Sequence, residues 1–278
     1  MDWSFLSIPI FQRALAAALI LAVLLALFGV LVTARGLAYL GDGLSHAAFG
    51  GIALGLFLGM KQPLLVAIPF TAAAAVAIGA LRRKSGIRTD VAMAVLFALC
   101  FSAGVILLRK APRSGTVFDP EQLLFGNILL IGRGDLWVVL GIFVVTVLFL
   151  LFGWTRLAYA TFDEELARLS GIEAGWLESV LLALLAAVVV TAIRLAGVVL
   201  VSAFLVIPAA GARLLGRTFA RVALVATLFG AFGVLVGFAV AQAAEWPEGA
   251  TIVCVLGAMF ILVTALTRIV PARRRPVR

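Results

Sequence analysis

The sequence predicts an all-α, polytopic integral membrane protein. Hydrophobic residues make up 64% of the 278 residues, charged residues make up 13%, and the mean hydropathy is +1.22. Soluble domains carry about 25% charged residues. Since one spanning helix takes roughly 20 apolar residues, the chain holds about eight or nine such helices and has little left for an extramembrane domain. We therefore expect residues 1–278 to form a single transmembrane domain.

The apolar runs predict nine spans and one shorter helix. The predicted spans are residues 11–33, 38–60, 63–81, 90–109, 135–154, 176–194, 196–213, 219–241 and 250–270. The 196–213 run is short and contains Pro208, which predicts a kinked or broken helix. Alternation of the spans also requires a very tight turn at residues 194–196. Residues 118–132 are too few to cross a membrane, so they predict a short re-entrant or interfacial helix that starts at Asp119-Pro120.

Lysine and arginine are concentrated in three regions that alternation places on one side of the membrane. Basic residues fill the 82–88 loop, the 213–221 loop and the tail from Arg268 to Arg278, whereas the 244–249 loop carries only acids. The positive-inside rule places the three basic regions, and with them the C-terminus, in the cytoplasm. The N-terminus then falls outside, and so does one basic cluster that disagrees with the rule: Arg109, Lys110 and Arg113.

The least apolar loop of the chain, residues 155–175, follows the fifth long span and predicts a short cytoplasmic helix. Thr161 and Glu164 have the spacing of a capping box, and Gly171 is placed to end the helix. Leu166 and Leu169 share one face of this helix. The N-terminal end is acidic, and anionic lipid would repel it. We therefore favour docking of a cytoplasmic partner protein over a helix that lies on the lipid headgroups.

Small residues recur at every fourth position of the second span and again in the eighth. Such stripes let helix backbones approach closely in lipid, so we expect them to serve packing. They leave a neighbouring face of the second span free for other residues. The stripes are Gly43, Ala47, Gly51, Gly55 and Gly59, and Gly233 and Gly237.

Asp42 and His46 stand on one face of that second span, four residues apart, and His46 is the only histidine of the chain. Ionisable groups inside a membrane are costly, so a pair of them predicts a polar path through the protein. Carboxylate oxygen and imidazole nitrogen also suit a divalent transition metal. We therefore expect a buried acid–imidazole pair. The residues alone leave three interpretations of it open: a hydrogen-bonded structural pair, a proton relay in an ion- or proton-coupled secondary transporter, and a transient metal site.

Other features exclude further functions. The net charge of +9 comes mainly from short loops and the tail, where membrane topology explains it, so we expect no binding to nucleic acid. The chain has no Gly-rich phosphate-binding loop with Lys-Ser or Lys-Thr, so we expect no ATPase site of its own. Cys100 and Cys254 lie far apart in apolar spans and are expected to be buried free thiols.

Five blocks of the chain, in order, resemble the permease subunits of zinc and manganese ABC importers. The family signature is matched by Leu-Gly-Asp-Gly-Leu-Ser-His-Ala-Ala-Phe-Gly-Gly-Ile-Ala-Leu-Gly, which begins at Leu40. The other blocks resemble the short Leu-Phe-Gly helix (122–129), the cytoplasmic coupling segment (163–172), the Ile-Pro-Ala-Ala block (197–213) and the last outer loop and span (247–256). Gly36 departs from the family pattern, because many members carry a second Arg there, beside the one that stands at position 35 in this chain.

This resemblance implies the all-helical fold of the vitamin B12 and siderophore importer permeases, in the inner (plasma) membrane of a prokaryote. It implies a homodimer, two cytoplasmic ABC ATPase subunits, and an extracytoplasmic protein that delivers the metal. No permanently bound cofactor is implied. The cargo is expected to be Zn²⁺ first, then manganese or iron, because the Tyr39-Leu40-Gly41-Asp42 segment is slightly closer in sequence to the zinc members.

The resemblance also implies roles for particular residues. Asp42 and His46 would form a transient transport site, since two ligands are fewer than the four of a closed zinc site and allow release. Further ligands would come from the second subunit, from Ser45 or from Asp90, although Asp90 beside Thr89 is also typical of a helix N-cap. Coupling to the ATPase would fall on a helix within residues 157–172, at Asp163, Glu164, Leu166, Leu169 and Gly171.

Overall fold

The computed structural model describes residues 9–60, 62–85, 89–110, 132–162 and 164–269, and of residues 82–85, 89–90, 133, 164 and 194–196 the backbone only. The described chain is helical almost throughout. Its helices are α1 (Pro9–Ala34), α2 (Leu40–Phe57), α3 (Leu64–Ser85), α4 (Thr89–Lys110), α5 (Arg133–Phe162), α6 (Glu164–Leu169), α7 (Ala174–Leu215), α8 (Phe219–Ala244) and α9 (Glu248–Ile269).

Eight segments of these helices are long and apolar enough to cross a membrane, which confirms the predicted fold class. Most boundaries agree with the predicted spans within a few residues. The fifth span differs, because α5 continues to Phe162 and takes in the first part of the predicted 155–175 loop. The second span, α2, is not among the eight, since Asp42, His46 and its glycines lower its apolar content. The predicted re-entrant helix at residues 118–132 lies almost wholly outside the described residues.

Helix α7 is a hairpin of two spans, Ala174–Ile193 and Gly197–Leu215. A straight helix of 42 residues would be roughly 63 Å long, about twice the hydrocarbon thickness of a bilayer. The backbone instead breaks at Gly197, where φ is 76° and ψ is 163°. Glycine has no Cβ and adopts positive φ without strain. The tight turn predicted before this residue is therefore present, and the break falls at Gly197 rather than at Pro208.

Contacts between helix ends show which of them lie together at each end of the bundle. Gln62, Gly134 and Thr191 line one cavity of about 380 Å³, which brings together the α2–α3 connection, the start of α5 and the turn of α7. At the opposite end, the Phe219 ring lies 4.8 Å from that of Trp154 and 5.5 Å from that of Phe162 (centroid to centroid). The end of α7 and the start of α8 therefore lie beside the last turns of α5 and the helix α6.

Helix α2 is packed among α3, α4 and α7, and its glycines make the close approaches possible. A Cβ at Gly50 would come within 2.6 Å of the Cys100 carbonyl oxygen, and one at Gly51 within 2.8 Å of Ala67 Cα. Gly55 lies against Pro63 in the same way. The predicted packing stripe is correct for Gly51 and Gly55, whereas Gly50 was not part of it. Gly233 and Gly237 likewise lie against Leu256 and Ile252 of α9, as predicted.

Gly59 does not belong to that stripe. It follows the end of α2 with φ of 70°, and a Cβ added there would meet no atom of the described residues within 4 Å. The Gly59 and Met60 amides donate to the carbonyls of Leu56 and Gly55 (3.0 Å each), which is the Schellman arrangement that ends a helix.

The prediction of two buried thiols also needs correction. Both cysteines are free, but Cys100 is only half-buried and Cys254 is exposed.

Candidate metal site and docking helix

The candidate metal site begins at the turn that joins α1 to α2. Helix α1 ends in a Schellman arrangement, in which the Leu37 amide donates to the Val32 carbonyl (2.9 Å) and the Gly36 amide to that of Thr33 (3.2 Å). Gly36 has φ of 72°, which glycine adopts without strain. Because α2 starts at Leu40, Asp42 falls in its first turn, where the helix dipole favours a negative charge.

Asp42 and His46 are brought together on the exposed face of α2. His46 Nε2 lies 3.8 Å from Asp42 Oδ2, which is too far for a hydrogen bond. A metal ion bonded at about 2.0–2.2 Å to each atom would span this distance. The two side chains are 45% and 58% exposed in the single chain. The expectation of a buried pair is therefore wrong for one chain, and the geometry disfavours a hydrogen-bonded structural pair.

The pair opens into a cavity of about 310 Å³ between α2 and α4. Its other wall is apolar and consists of side chains one turn apart on α4, namely Met93, Phe97 and Phe101. Tyr39 lies in the same lining, one turn before Asp42, and is 78% exposed. The cavity is therefore polar on the α2 side and apolar on the α4 side. This arrangement places the carboxylate and the imidazole on one wall only.

Aromatic packing positions the imidazole. The Phe101 ring lies 5.3 Å from the His46 ring at 79°, an edge-to-face contact, and Phe101 also packs against Phe49 with ring centroids 4.9 Å apart. The Phe97 ring lies directly against Gly43, so that any side chain there would displace a wall of the cavity. Glycine at position 43 is thus required by the cavity as well as by helix packing.

The two further candidate ligands are placed differently. Ser45 is only 2% exposed, and its hydroxyl donates to the Gly41 carbonyl within α2 (2.9 Å). Asp90 lies in the first turn of α4, and its side chain is outside the described part of the structure. In the described residues no group of three or more His, Cys, Asp or Glu side chains gathers to hold a metal.

Sequence reasoning missed Tyr39 and the aromatic wall. Met93, Phe97 and Phe101 recur at every fourth position, a pattern typical of any apolar helix face. Tyr39 precedes Asp42 by three residues, which is the spacing of side chains on one helix face. That spacing could have signalled Tyr39. Nothing in the sequence shows that the α4 stripe faces α2 rather than lipid.

The predicted docking helix is present as α6 but is shorter than expected. The capping-box prediction for Thr161 is wrong, because Thr161 is part of α5 and its hydroxyl donates to the Leu157 carbonyl (2.6 Å). Gly171 does end α6, with φ of 76°, and the Gly171 and Ile172 amides donate to the carbonyls of Arg168 and Ala167. Asp163 is outside the described residues, and only the backbone of Glu164 is described.

One face of α6 packs against the protein, and the other is exposed. Ala167 is fully buried, whereas Leu166 is 49% exposed and Leu169 is 82% exposed. Phe162, just before α6, is 70% exposed. This end of the bundle therefore presents three large apolar side chains on and beside a short helix.

A bundle of membrane-length helices, with a carboxylate–imidazole pair facing an open cavity between two of them, has the architecture of a membrane permease. The model of the ABC 3 transport family matches residues 7–267, and the chain belongs to that family. The resemblance to the permease subunits of metal ABC importers, first drawn from five sequence blocks, is thereby confirmed.

Known proteins with similar sequence or structure cover almost the whole chain. The "Manganese transport system membrane protein MntC" of Halalkalibacterium halodurans is 32% identical, over 92% of this chain and 87% of its own length. The "Chelated iron transport system membrane protein YfeD" of Yersinia pestis is 31% identical, over 96% and 89%. The solved structure "PsaBC from Streptococcus pneumoniae in complex with Fab" superposes with a TM-score of 0.82 at 28% identity, over 96% of this chain and 94% of that chain.

Proposed function

We propose that this chain is the transmembrane permease of an ATP-driven importer that moves a divalent transition metal ion into the cytoplasm. The observation that carries the proposal is the Asp42–His46 pair, whose 3.8 Å separation and position in a cavity suit one ion held by an oxygen and a nitrogen. The pair would hold the ion transiently, since two ligands bind weakly enough to release it.

The cargo we propose to test first is Mn²⁺, with iron(II) and Zn²⁺ as competitors. Oxygen and nitrogen ligands suit all three ions. The sequence around Tyr39 predicted zinc as the first of these three cargo ions. The names of the MntC and YfeD relatives refer instead to manganese and to chelated iron.

A second copy of the chain is proposed to complete the site. Asp42 and His46 are about half exposed in the single chain, and an ionisable side chain that faces lipid is costly. This face of α2 and α4 must therefore meet water or protein in the membrane. A homodimer related by a two-fold axis would cover it and would add a second carboxylate and a second imidazole to one pathway.

Energy would come from separate subunits. The chain has no phosphate-binding loop, and we propose that two cytoplasmic ABC ATPases dock on α6. An extracytoplasmic binding protein would deliver the ion at the opposite end of the bundle. Residues 1–278 then form one transmembrane domain, with the coupling segment within residues 157–172.

Uptake measurements in cells test this function against a secondary transporter. The chain, expressed with its ATPase partner, should take up radiolabelled Mn²⁺, and the detergent-solubilised chain should retain that P-loop ATPase. Depletion of ATP should stop uptake while the proton gradient is held, and a protonophore at constant ATP should leave it unchanged. Uptake that follows the proton gradient and ignores ATP would instead establish Asp42 and His46 as a proton relay.

The orientation can be tested by labelling of single cysteines. In a background with Cys100 and Cys254 replaced, Trp246→Cys should react with a membrane-impermeant thiol reagent in intact cells, because Trp246 is 61% exposed in the acidic loop that we place outside. Arg217→Cys, in the basic α7–α8 loop, should react only after the membrane is opened. Labelling of Arg217→Cys in intact cells would show that the orientation is the opposite one, with α6 and the C-terminus outside the cytoplasm.

A further inference from the structure

A hydrogen bond joins two parts of the chain that the proposed function needs to move together. Arg35 Nε donates to Thr161 Oγ1 at 3.1 Å, across 126 residues of sequence. The Thr161 hydroxyl donates in turn to the Leu157 carbonyl at 2.6 Å. Both the arginine and the threonine are partly buried, so this contact is shielded from bulk water.

On one side of this bond lies α2, the helix that carries Asp42 and His46. Arg35 is the residue that caps the C-terminal end of α1, and its amide is hydrogen-bonded to the carbonyls of Leu31 and Val32. Only four residues separate Arg35 from Leu40, the first residue of α2, and within them Leu37 is 5% exposed. Because the turn is short, hydrogen-bonded and anchored by Leu37, a displacement of Arg35 is passed to the first turn of α2, which carries Asp42.

On the other side lies the proposed docking helix. Thr161 is in the last turn of α5, which ends at Phe162, and α6 begins at Glu164. Helix α6 is itself held against the bundle by the buried Ala167, and the Schellman arrangement at Gly171 fixes its own C-terminal end. A load applied to the exposed face of α6 is therefore transmitted to the end of α5 and to Thr161.

We propose that the Arg35–Thr161 hydrogen bond is a coupling contact, which transmits movement of the docking helix to the helix that carries Asp42 and His46. The inference rests on the proposed function, since it needs an ATPase on α6 and an ion at the pair. Arg35 and Thr161 are positioning residues in this scheme and do not touch the ion. Loss of the bond should uncouple ATP hydrolysis from transport without loss of either partner's binding.

Thr161→Val tests the contact with Thr161→Ser as its matched control. Valine keeps the shape of threonine and removes the acceptor, whereas serine keeps the hydroxyl. In proteoliposomes with the complete complex, we expect Thr161→Val to lower Mn²⁺ transported per ATP hydrolysed about fivefold or more, the low end of usual coupling between sites. Thr161→Ser should retain the wild-type ratio. ATPase retention and Mn²⁺ binding should stay at wild-type values in both, and the unfolding temperature should fall only modestly in Thr161→Val, because Arg35 Nε loses one acceptor.

A second arm assigns the effect to this pair of residues. In an Arg35→Met background the side chain has no donor, so Thr161→Val should cost no further coupling. An equal loss in both backgrounds, or an unchanged transport ratio in Thr161→Val, would overturn the proposal. Either result leaves the proposed function intact, because that function is tested separately by ATP-dependent Mn²⁺ uptake with the wild-type chain.

Discussion

Asp42→Ala and His46→Ala are each expected to abolish metal uptake while the permease remains folded in the membrane. Each substitution removes one of the two proposed ligand atoms, which lie 3.8 Å apart. Replacement of an outer-shell partner of a metal already costs about 10–100-fold, so loss of a ligand should lower the uptake rate by at least about 100-fold. The measurement is uptake of radiolabelled Mn²⁺ and Zn²⁺ in cells that contain equal amounts of each variant.

Folding should be little affected in either variant, because both side chains are about half exposed and make no hydrogen bond to each other. Ser45→Ala is an informative comparison within the same helix. Its hydroxyl is directed at the Gly41 carbonyl and is buried away from the cavity, so the geometry predicts near-normal uptake. Near-wild-type uptake in both Asp42→Ala and His46→Ala would eliminate the pair as a transport site.

Leu169→Asp is expected to release the ATPase from the permease, and Leu166→Asp is expected to do so to a lesser degree. Leu169 is 82% exposed on α6 and Leu166 is 49% exposed, so neither substitution leaves a cavity within the bundle. At a docked interface each would bury an unpaired carboxylate, which costs several kcal/mol. The measurement is the amount of ATPase that co-purifies with the permease, together with Mn²⁺ uptake.

The matched control is Leu58→Asp. Leu58 is 59% exposed at the opposite end of the bundle, next to the α2–α3 connection, and the substitution has the same chemistry. We expect it to leave the ATPase bound, so that a loss specific to Leu169→Asp marks α6 as the docking surface. Normal assembly and transport in both α6 variants would instead show that the ATPase docks elsewhere.

Much of this architecture follows from sequence because its causes are local. A bilayer demands about 20 apolar residues per span, and those runs can be located without knowledge of their neighbours. Asp42 and His46 are adjacent because α-helix geometry alone places residues four apart on one face. The stop at Gly171 follows from the tolerance of glycine for positive φ. The pair as a metal site, and α6 as a docking surface, remain predictions until the variants are measured.

The predictions that failed depended on what lies next to a residue in space. Thr161 has the spacing of a cap, yet it continues α5, where its hydroxyl accepts a hydrogen bond from Arg35. Gly59 matches the period of a packing stripe, yet it lies past the end of α2. For Thr161 the local pattern fits two structures, and the distant contact with Arg35 accompanies the one that forms. At Gly59 the helix has already ended in a Schellman arrangement, so the four-residue period no longer applies.

The sequence by itself determined that this is a helical membrane protein, where most spans begin and end, and which two ionisable residues share a face of α2. Those properties depend on composition and on helix periodicity. Only the tertiary structure decided that Met93, Phe97 and Phe101 form the opposite wall of the cavity, and that Arg35 reaches Thr161. In a chain so uniformly apolar, many helix faces are equally able to pack, so the choice among them is made by shape, chiefly by glycines that admit a neighbour.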